Sequence, residues 1–142
     1  LRAAIIAAAQ AEPIDVEIRV RGAEGGDWSD AWSGPLIHLS LANGSTAGGG
    51  IPIVPNSEVT DGLVHVCGVQ PESAWEIGVG AASVKSEESA DSPWLVEQGI
   101  EVEVELGSPS PVSVDGEIRT VRQIRARILP AALKVFRPPH TS

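Results

Sequence analysis

Two stretches with strict two-residue alternation constrain the fold of this chain most. In residues 14–21 four branched aliphatic residues alternate with four charged residues, and residues 100–106 repeat the pattern with glutamates in the charged positions. Successive side chains of a β-strand point to opposite faces, so each stretch predicts a strand with one buried and one solvated face. A chain with two such strands needs a second layer to cover their apolar faces.

Shorter apolar and β-branched segments predict the remaining strands, at residues 36–42, 51–54, 63–69, 112–114, 118–129 and 132–136. The pair Asp115-Gly116 is a strong hairpin signal between two of them. Residues 22–34, rich in Gly, Ser and Asp, are predicted to be a loop or a hairpin connection, and residues 107–111 a turn. Residues 1–11 and 72–84 predict one or two short helices. We therefore expect a mainly β, β-sandwich-like domain of about eight strands with mostly antiparallel sheets.

Composition excludes several classes of protein. With 142 residues, 42% hydrophobic and 20% charged, the chain can form the core of one domain, and no apolar run is long enough to span a bilayer. The single cysteine, Cys67, cannot form an internal disulfide and lies in an apolar segment, where a buried thiol is inert. The three histidines lack the spacing of a zinc site, and no P-loop, GxGxxG turn or GxSxG elbow occurs.

The net charge of −9 argues against nucleic-acid binding, which depends on neutralising phosphates. Residues 1–117 contain all 19 acidic residues, whereas residues 118–142 have a net charge of +6. This basic tail is either a solvated strand face or a local patch that faces phosphate or lipid headgroups. Its six cationic residues are Arg119, Arg122, Arg125, Arg127, Lys134 and Arg137.

Two acidic segments are candidate sites. Glu58 and Asp61 stand three residues apart in a predicted turn, where two carboxylates and a main-chain carbonyl can hold Mg²⁺ or Ca²⁺. The alternative is that Asp61 only closes the turn with its side chain. Glu117 follows Asp115-Gly116 and is either a solvated residue beside a hairpin turn or a general base that projects into a cleft.

Six short runs, in the same order along the chain, resemble the C-terminal domain of diacylglycerol kinase-like lipid kinases, a group that includes bacterial diacylglycerol kinases and sphingosine kinases. The runs are LSLANG (39–44), GGGI (48–51), IVP (53–55), DGL (61–63), VDGE (114–117) and ILPAALKV (128–135). The resemblance implies a two-domain enzyme related to NAD kinases. An N-terminal α/β domain with a GGDGT-type loop binds ATP, and a C-terminal β-sandwich closes the cleft and helps to bind the lipid.

The sequence contains no GGDGT run and no methionine. We therefore expect residues 1–142 to be the C-terminal, substrate-side domain, incomplete at its N-terminus, without the N-terminal ATP-binding domain. By itself this chain is expected to be inactive.

The resemblance also implies roles for individual residues. Glu58, Asp61 and the carbonyl of Leu63 take the positions of ligands to a structural Mg²⁺. Glu117 takes the position of the proton acceptor for the lipid hydroxyl that attacks the γ-phosphate of ATP.

The expected function is therefore ATP-dependent phosphorylation of a lipid hydroxyl by the intact bacterial protein. The alternatives are a family member that phosphorylates a non-lipid hydroxyl and a non-catalytic β-sandwich that binds a ligand or partner. Expected partners are the lipid alcohol and the protein's own N-terminal domain, but no nucleic acid. We expect a cytoplasmic location; peripheral contact with the inner membrane surface and a homodimer are left open.

Overall fold

A computed structural model describes residues 12–47, 51–52, 57–71 and 94–134 of the chain. Within these residues nine strands form three antiparallel sheets. The strands are β1 (Ile14–Arg21), β2 (Trp28–Leu36), β3 (His38–Ala42), β4 (Thr46–Ala47), β5 (Ile51–Pro52), β6 (Val64–Val69), β7 (Trp94–Gly99), β8 (Glu101–Val114) and β9 (Glu117–Arg127). The mainly β fold class predicted from the sequence is thus confirmed.

The larger sheet has the strand order β2-β1-β8-β9. The alternation in β1 and β8 determines its faces: in β1 Val16, Ile18 and Val20 are buried, and in β8 Val102 and Val104 are buried. The intervening charged residues lie on the outer face, where β1 and β8 pair antiparallel. The sequence pattern therefore orients this sheet as predicted.

The smaller sheet has the order β3-β6-β7, with β6 in the centre. All six residues of β6 are buried, which accounts for its apolar sequence without alternation. Its inner residues Val64 and Val66, together with Leu95 of β7, pack against the aliphatic side chains of β1 and β8. One core therefore lies between the two sheets, as in a β-sandwich. The remaining strands, β4 and β5, pair with each other.

Between the larger and the smaller sheet the described chain crosses twice, each time through one residue. Ile37 separates β2 from β3, and its N–H donates a hydrogen bond to the carbonyl of Val69. Ile100 separates β7 from β8, and its N–H donates to the carbonyl of Arg21. The single strand predicted over residues 36–42 is wrong at this point, because the crossing at Ile37 divides it.

Strands β8 and β9 extend beyond the rest of the larger sheet. The pairing of β1 with β8 ends at Val16 and Leu106, whereas β8 and β9 remain paired as far as Val114 and Glu117. We call residues 107–122 the hairpin arm. At its base the register shifts between Glu105 and Ser110, so β8 bulges there. At its end Asp115 and Gly116 both have positive φ, as the predicted tight turn requires.

Two predicted loops are strands in the structure. Residues 22–34 are predicted from the sequence to be a loop or a hairpin connection. Residues 22–27 do connect β1 to β2, but residues 28–34 belong to β2, which pairs with β1 along its whole length. Residues 107–111, expected to be a turn, stay within β8 because the bulge absorbs the extra Gly, Ser and Pro residues without reversing the chain. In both cases pairing with a neighbouring strand overrides the local composition.

Other predictions fall at the ends of the chain or outside the described residues. Residues 132–134, expected to begin a strand, have no regular structure. The helices expected at 1–11 and 72–84 lie outside the described residues, as do residues 53–54 and 135–136 of two predicted strands. In the part of the chain that the structure describes, no helix is long and apolar enough to cross a membrane.

Candidate active site

A tight turn before β6 places the carboxylate of Asp61. The N–H of Asp61 donates to the carbonyl of Glu58 at 3.1 Å, which closes the turn. The side chain of Asp61 then accepts the N–H of Leu63 on Oδ1 at 2.8 Å and the N–H of Glu58 on Oδ2 at 3.1 Å. Asp61 therefore closes the turn as predicted from the sequence, and both of its oxygens have fixed positions.

His65 is a further partner of Asp61 that the sequence analysis did not identify. Its Nε2 lies 2.7 Å from Asp61 Oδ2, and its side chain is only 6% exposed. Burial raises the pKa of Asp61, but the hydrogen bonds from Leu63, His65 and Glu58 outweigh this effect and hold the pKa below its ordinary value. Asp61 is thus an anion at neutral pH. In the sequence, this contact is indicated only by a histidine four residues after the aspartate. That spacing brings the two side chains together only because the chain turns at Asp61 before it enters β6.

The donor atoms at this turn fit a divalent cation in part. Each carboxylate oxygen has two lone pairs, and Asp61 Oδ1 accepts one hydrogen bond from the described residues, which leaves it one lone pair for a metal ion. Glu58, three residues earlier in the same turn, is exposed and has the second carboxylate. Oxygen ligands of this kind suit Mg²⁺. Among the described residues no group of three or more His, Cys, Asp or Glu is placed to hold a metal ion. The carbonyl of Leu63 as a third ligand stays a prediction.

Glu117 begins β9 at the end of the hairpin arm. Its side chain is 73% exposed, and its Oε2 accepts a hydrogen bond from Arg119 Nη2 at 2.9 Å. Glu117 is paired with Val114 across the hairpin, and Arg119 with Val112, so these side chains share one face of the arm. Val112 packs against the core. The carboxylate of Glu117 is therefore accessible to a substrate on the core-facing side of the arm.

The structure does not join the two predicted sites. Among the described residues, the hydrogen bonds and ion pairs of the Asp61 turn share no residue with those of the hairpin arm. Each site is instead a local arrangement on its own turn. Their assignments remain predictions.

Three arginines of the basic tail have defined partners on or near β9. Arg119 binds Glu117, Arg122 donates to the carbonyl of Gly107, and Arg125 binds Glu101. These contacts favour the solvated strand face over a free cationic patch for this part of the tail. Arg137 lies outside the described residues.

The comparisons with known proteins identify similar proteins of one family. Residues 1–137 match the family described as the YegS C-terminal NAD kinase beta sandwich-like domain. A protein of Xanthomonas euvesicatoria pv. vesicatoria named "Probable lipid kinase YegS-like" is 31% identical over 118 residues, which are 76% of this chain and 36% of that protein. A protein of the same name from Pectobacterium atrosepticum is 30% identical over 117 residues, 78% of this chain and 36% of that protein.

The solved structures show the same fold. A diacylglycerol kinase from Bacillus anthracis superimposes with a TM-score of 0.65 at 16% identity, covering 89% of this chain and 43% of that chain. The present chain spans about a third of the length of the curated relatives given above. From the match over residues 1–137, the chain belongs to the family of YegS C-terminal NAD kinase beta sandwich-like domains.

Proposed function

We propose that this chain is the substrate-side domain of a lipid kinase that transfers the γ-phosphate of ATP to the hydroxyl of a diacylglycerol-like lipid. The observation that supports it most is the exposed carboxylate of Glu117 on the core-facing side of a projecting hairpin. It occurs in a chain whose relatives are named probable lipid kinases. In this proposal the ATP site belongs to a separate N-terminal domain of the full-length protein.

Glu117 acts as the general base of this reaction. The lipid hydroxyl oxygen forms a bond to the γ-phosphorus, the bond from that phosphorus to the β-γ bridging oxygen breaks, and the hydroxyl proton passes to the carboxylate. Arg119 holds one carboxylate oxygen at 2.9 Å and leaves the other available to the hydroxyl. An exposed ion pair of this kind adds little to the stability of the fold, so the role of Arg119 is to orient the carboxylate of Glu117.

The second part of the proposal concerns Mg²⁺ at the Asp61 turn. The ion would be held by Asp61, Glu58 and the carbonyl of Leu63. It would stabilise the turn by linking these groups and would take no part in the reaction itself. The hydrogen bonds from Leu63 and His65 support this role because they keep the Asp61 carboxylate ionised and oriented.

The test of the catalytic role is Glu117→Gln in the full-length protein. The amide keeps the size and exposure of the side chain but cannot accept the proton, so kcat should fall by roughly 100-fold or more. The melting temperature should not change. The matched control is Glu105→Gln, which makes the same change at an exposed glutamate of β8, outside the hairpin arm. This variant should keep full activity. A kcat of Glu117→Gln close to that of the wild type would exclude Glu117 as the base.

The substrates offered in this assay also test the alternatives. Turnover with dispersed diacylglycerol supports the proposal. Turnover only with water-soluble alcohols would identify a kinase for a non-lipid hydroxyl. Absence of ATP turnover with every alcohol would leave a non-catalytic binding module as the function.

The metal site is tested by Glu58→Gln, which removes one carboxylate without disturbing the hydrogen bonds of Asp61. Mg²⁺ should raise the melting temperature of the wild type and raise that of the variant less. Equal melting of the wild type with Mg²⁺ and with a chelator would contradict the site.

A further inference from the structure

Residues 113–120, at the end of the hairpin arm, are all exposed. Beyond Leu106 strand β8 has no pairing with β1, and the last residue pair of the hairpin is Val114 with Glu117. At this end the backbone turns through Asp115 and Gly116. Val112, nearer the base of the arm, packs against the core, whereas the end of the arm is exposed on both faces.

Both faces of this end carry a large exposed apolar side chain. Val114 is 57% exposed on the face that also bears Glu117, and Ile118 is 75% exposed on the opposite face. A flat protein surface would cover only one of these faces. A medium that surrounds the turn, such as the interfacial layer of a bilayer, covers both and removes both side chains from water.

The charge of the arm is compatible with a membrane surface. Residues 107–122 contain two acidic residues, Asp115 and Glu117, and two basic residues, Arg119 and Arg122, whereas the whole chain has a net charge of −9. The arm therefore has no net charge, whereas the whole chain is acidic. Anionic headgroups repel the arm less than they repel the acidic part of the chain.

The position of Glu117 links the apolar end to the chemistry, and this step rests on the proposed function. A lipid acceptor keeps its hydroxyl at headgroup level in the bilayer, so its general base has to approach the membrane. Glu117 lies three residues from Val114 and directly precedes Ile118. The part of the chain that carries the base is thus the part that carries the exposed apolar side chains.

We propose that Val114 and Ile118, on opposite faces of the arm beside the Asp115-Gly116 turn, enter the interfacial layer of a lipid bilayer and bring Glu117 to the hydroxyl of its lipid acceptor.

Vesicle binding tests this surface without any catalysis. The full-length protein is sedimented with vesicles of phosphatidylcholine containing a minor fraction of phosphatidylglycerol, in the absence of ATP. Ile118→Ser should lower the partition coefficient between vesicles and water roughly tenfold, because it removes most of one apolar side chain that the bilayer would cover. Its melting temperature should stay unchanged, since Ile118 is exposed. Ile118→Leu should bind like the wild type.

The matched control is Val96→Ser on β7. It also replaces an exposed apolar side chain by Ser, but in the smaller sheet and away from the arm. It should bind vesicles like the wild type. The proposal is overturned if the wild type does not bind vesicles, if Ile118→Ser binds as well as the wild type, or if Val96→Ser loses as much.

A kinase assay separates failure of this proposal from failure of the proposed function. With long-chain diacylglycerol in vesicles, Ile118→Ser should be slower than the wild type, and with a water-soluble short-chain diacylglycerol the two should be equal. Equal slowing with both substrates would indicate that the arm docks on protein and would overturn the membrane role. A wild type that phosphorylates neither substrate would contradict the kinase function, while the vesicle measurement would still decide the membrane contact.

Discussion

At the scale of single residues, Glu101 and Glu105 of β8 show how differently two glutamates of one strand face can be placed. Both point outward, as the alternation predicts, yet Glu101 is 4% exposed and Glu105 is exposed. Glu101 is bound by Arg125 Nε at 2.7 Å and by Arg21. These two guanidinium groups also lie over the ring of Trp28. The outer face of the sheet thus buries one carboxylate within an ion-pair network.

This network predicts a pH-dependent contribution to stability. The hydrogen bond from Arg125 lowers the pKa of Glu101; burial acts against it, and the charges of Arg125, Arg21 and Arg127 lower the pKa further, leaving it below its ordinary value. A carboxyl group with a lowered pKa in the folded state stabilises the fold above its unfolded pKa, about 4.3 for Glu, and this contribution is lost as the pH falls. Glu101→Gln should therefore lower the urea midpoint at pH 7, and its difference from the wild type should shrink toward pH 3.

Glu105→Gln is the control for this measurement, because it removes an exposed carboxylate from the same face of β8. Its midpoint should equal or exceed that of the wild type, since Glu105 stands directly opposite Glu17 and like charges in that position repel. A difference between Glu101→Gln and the wild type that stays constant from pH 7 to pH 3 would argue against the pH linkage.

The residues of the candidate site differ in how far the sequence reveals them. Asp61 and Glu117 stand in short motifs beside glycines, and their turns form as predicted. His65 could not be assigned, because its contact with Asp61 depends on the path of the turn into β6. The pairing of Arg119 with Glu117 likewise depends on both side chains lying on one face of the arm. Local motifs therefore predict positions, and tertiary structure determines partners.

At the scale of elements, strands with one face in the core were predictable and the edge strand β2 was not. β1 and the first half of β8 alternate because each contacts the core on one side only. β2 is an edge strand with two Ser, two Trp, one Gly and one Pro, and it has no regular pattern of burial. Its pairing with β1 is what makes it a strand. The same holds for residues 107–111, whose composition indicates a turn but which bulge within β8.

The crossing from β7 to β8 predicts that replacing Gly99 destabilises the fold. A Cβ atom added at Gly99 would lie 2.5 Å from the carbonyl oxygen of Arg21, the same oxygen that accepts the N–H of Ile100. Gly99→Ala has to push these two backbones apart and should cost about 1–3 kcal/mol of unfolding free energy. Urea unfolding followed by circular dichroism measures this loss.

Gly22→Ala is the matched control, because a Cβ atom there meets nothing within 4 Å and its φ is not positive. This variant should be neutral or more stable by about 0.4–1 kcal/mol, through the lower entropy of the unfolded chain. Equal losses in the two variants would show that close packing at Gly99 is not the cause.

At the scale of the whole molecule, the two sheets depend on one core. Ile18 and Val104 of the larger sheet belong to the same cluster as Val64, Val66 and Leu95 of the smaller one. The chain passes between the sheets through single residues, so neither sheet can move away without breaking the crossings at Ile37 and Ile100. Separate unfolding of one sheet would expose the apolar face of the other, and a cooperative transition is therefore expected.

This cooperativity can be tested with one probe in each sheet. Cys67 in β6 is buried, and burial raises the pKa of its thiol to about 11, so a thiol reagent should label it only after unfolding. With Trp75 and Trp94 replaced by Phe, the remaining tryptophans, Trp28 and Trp32, both report on β2 of the larger sheet. The urea midpoints from labelling and from fluorescence should coincide. A lower midpoint for Cys67 labelling would show that the smaller sheet opens first and that the two sheets are not one cooperative unit.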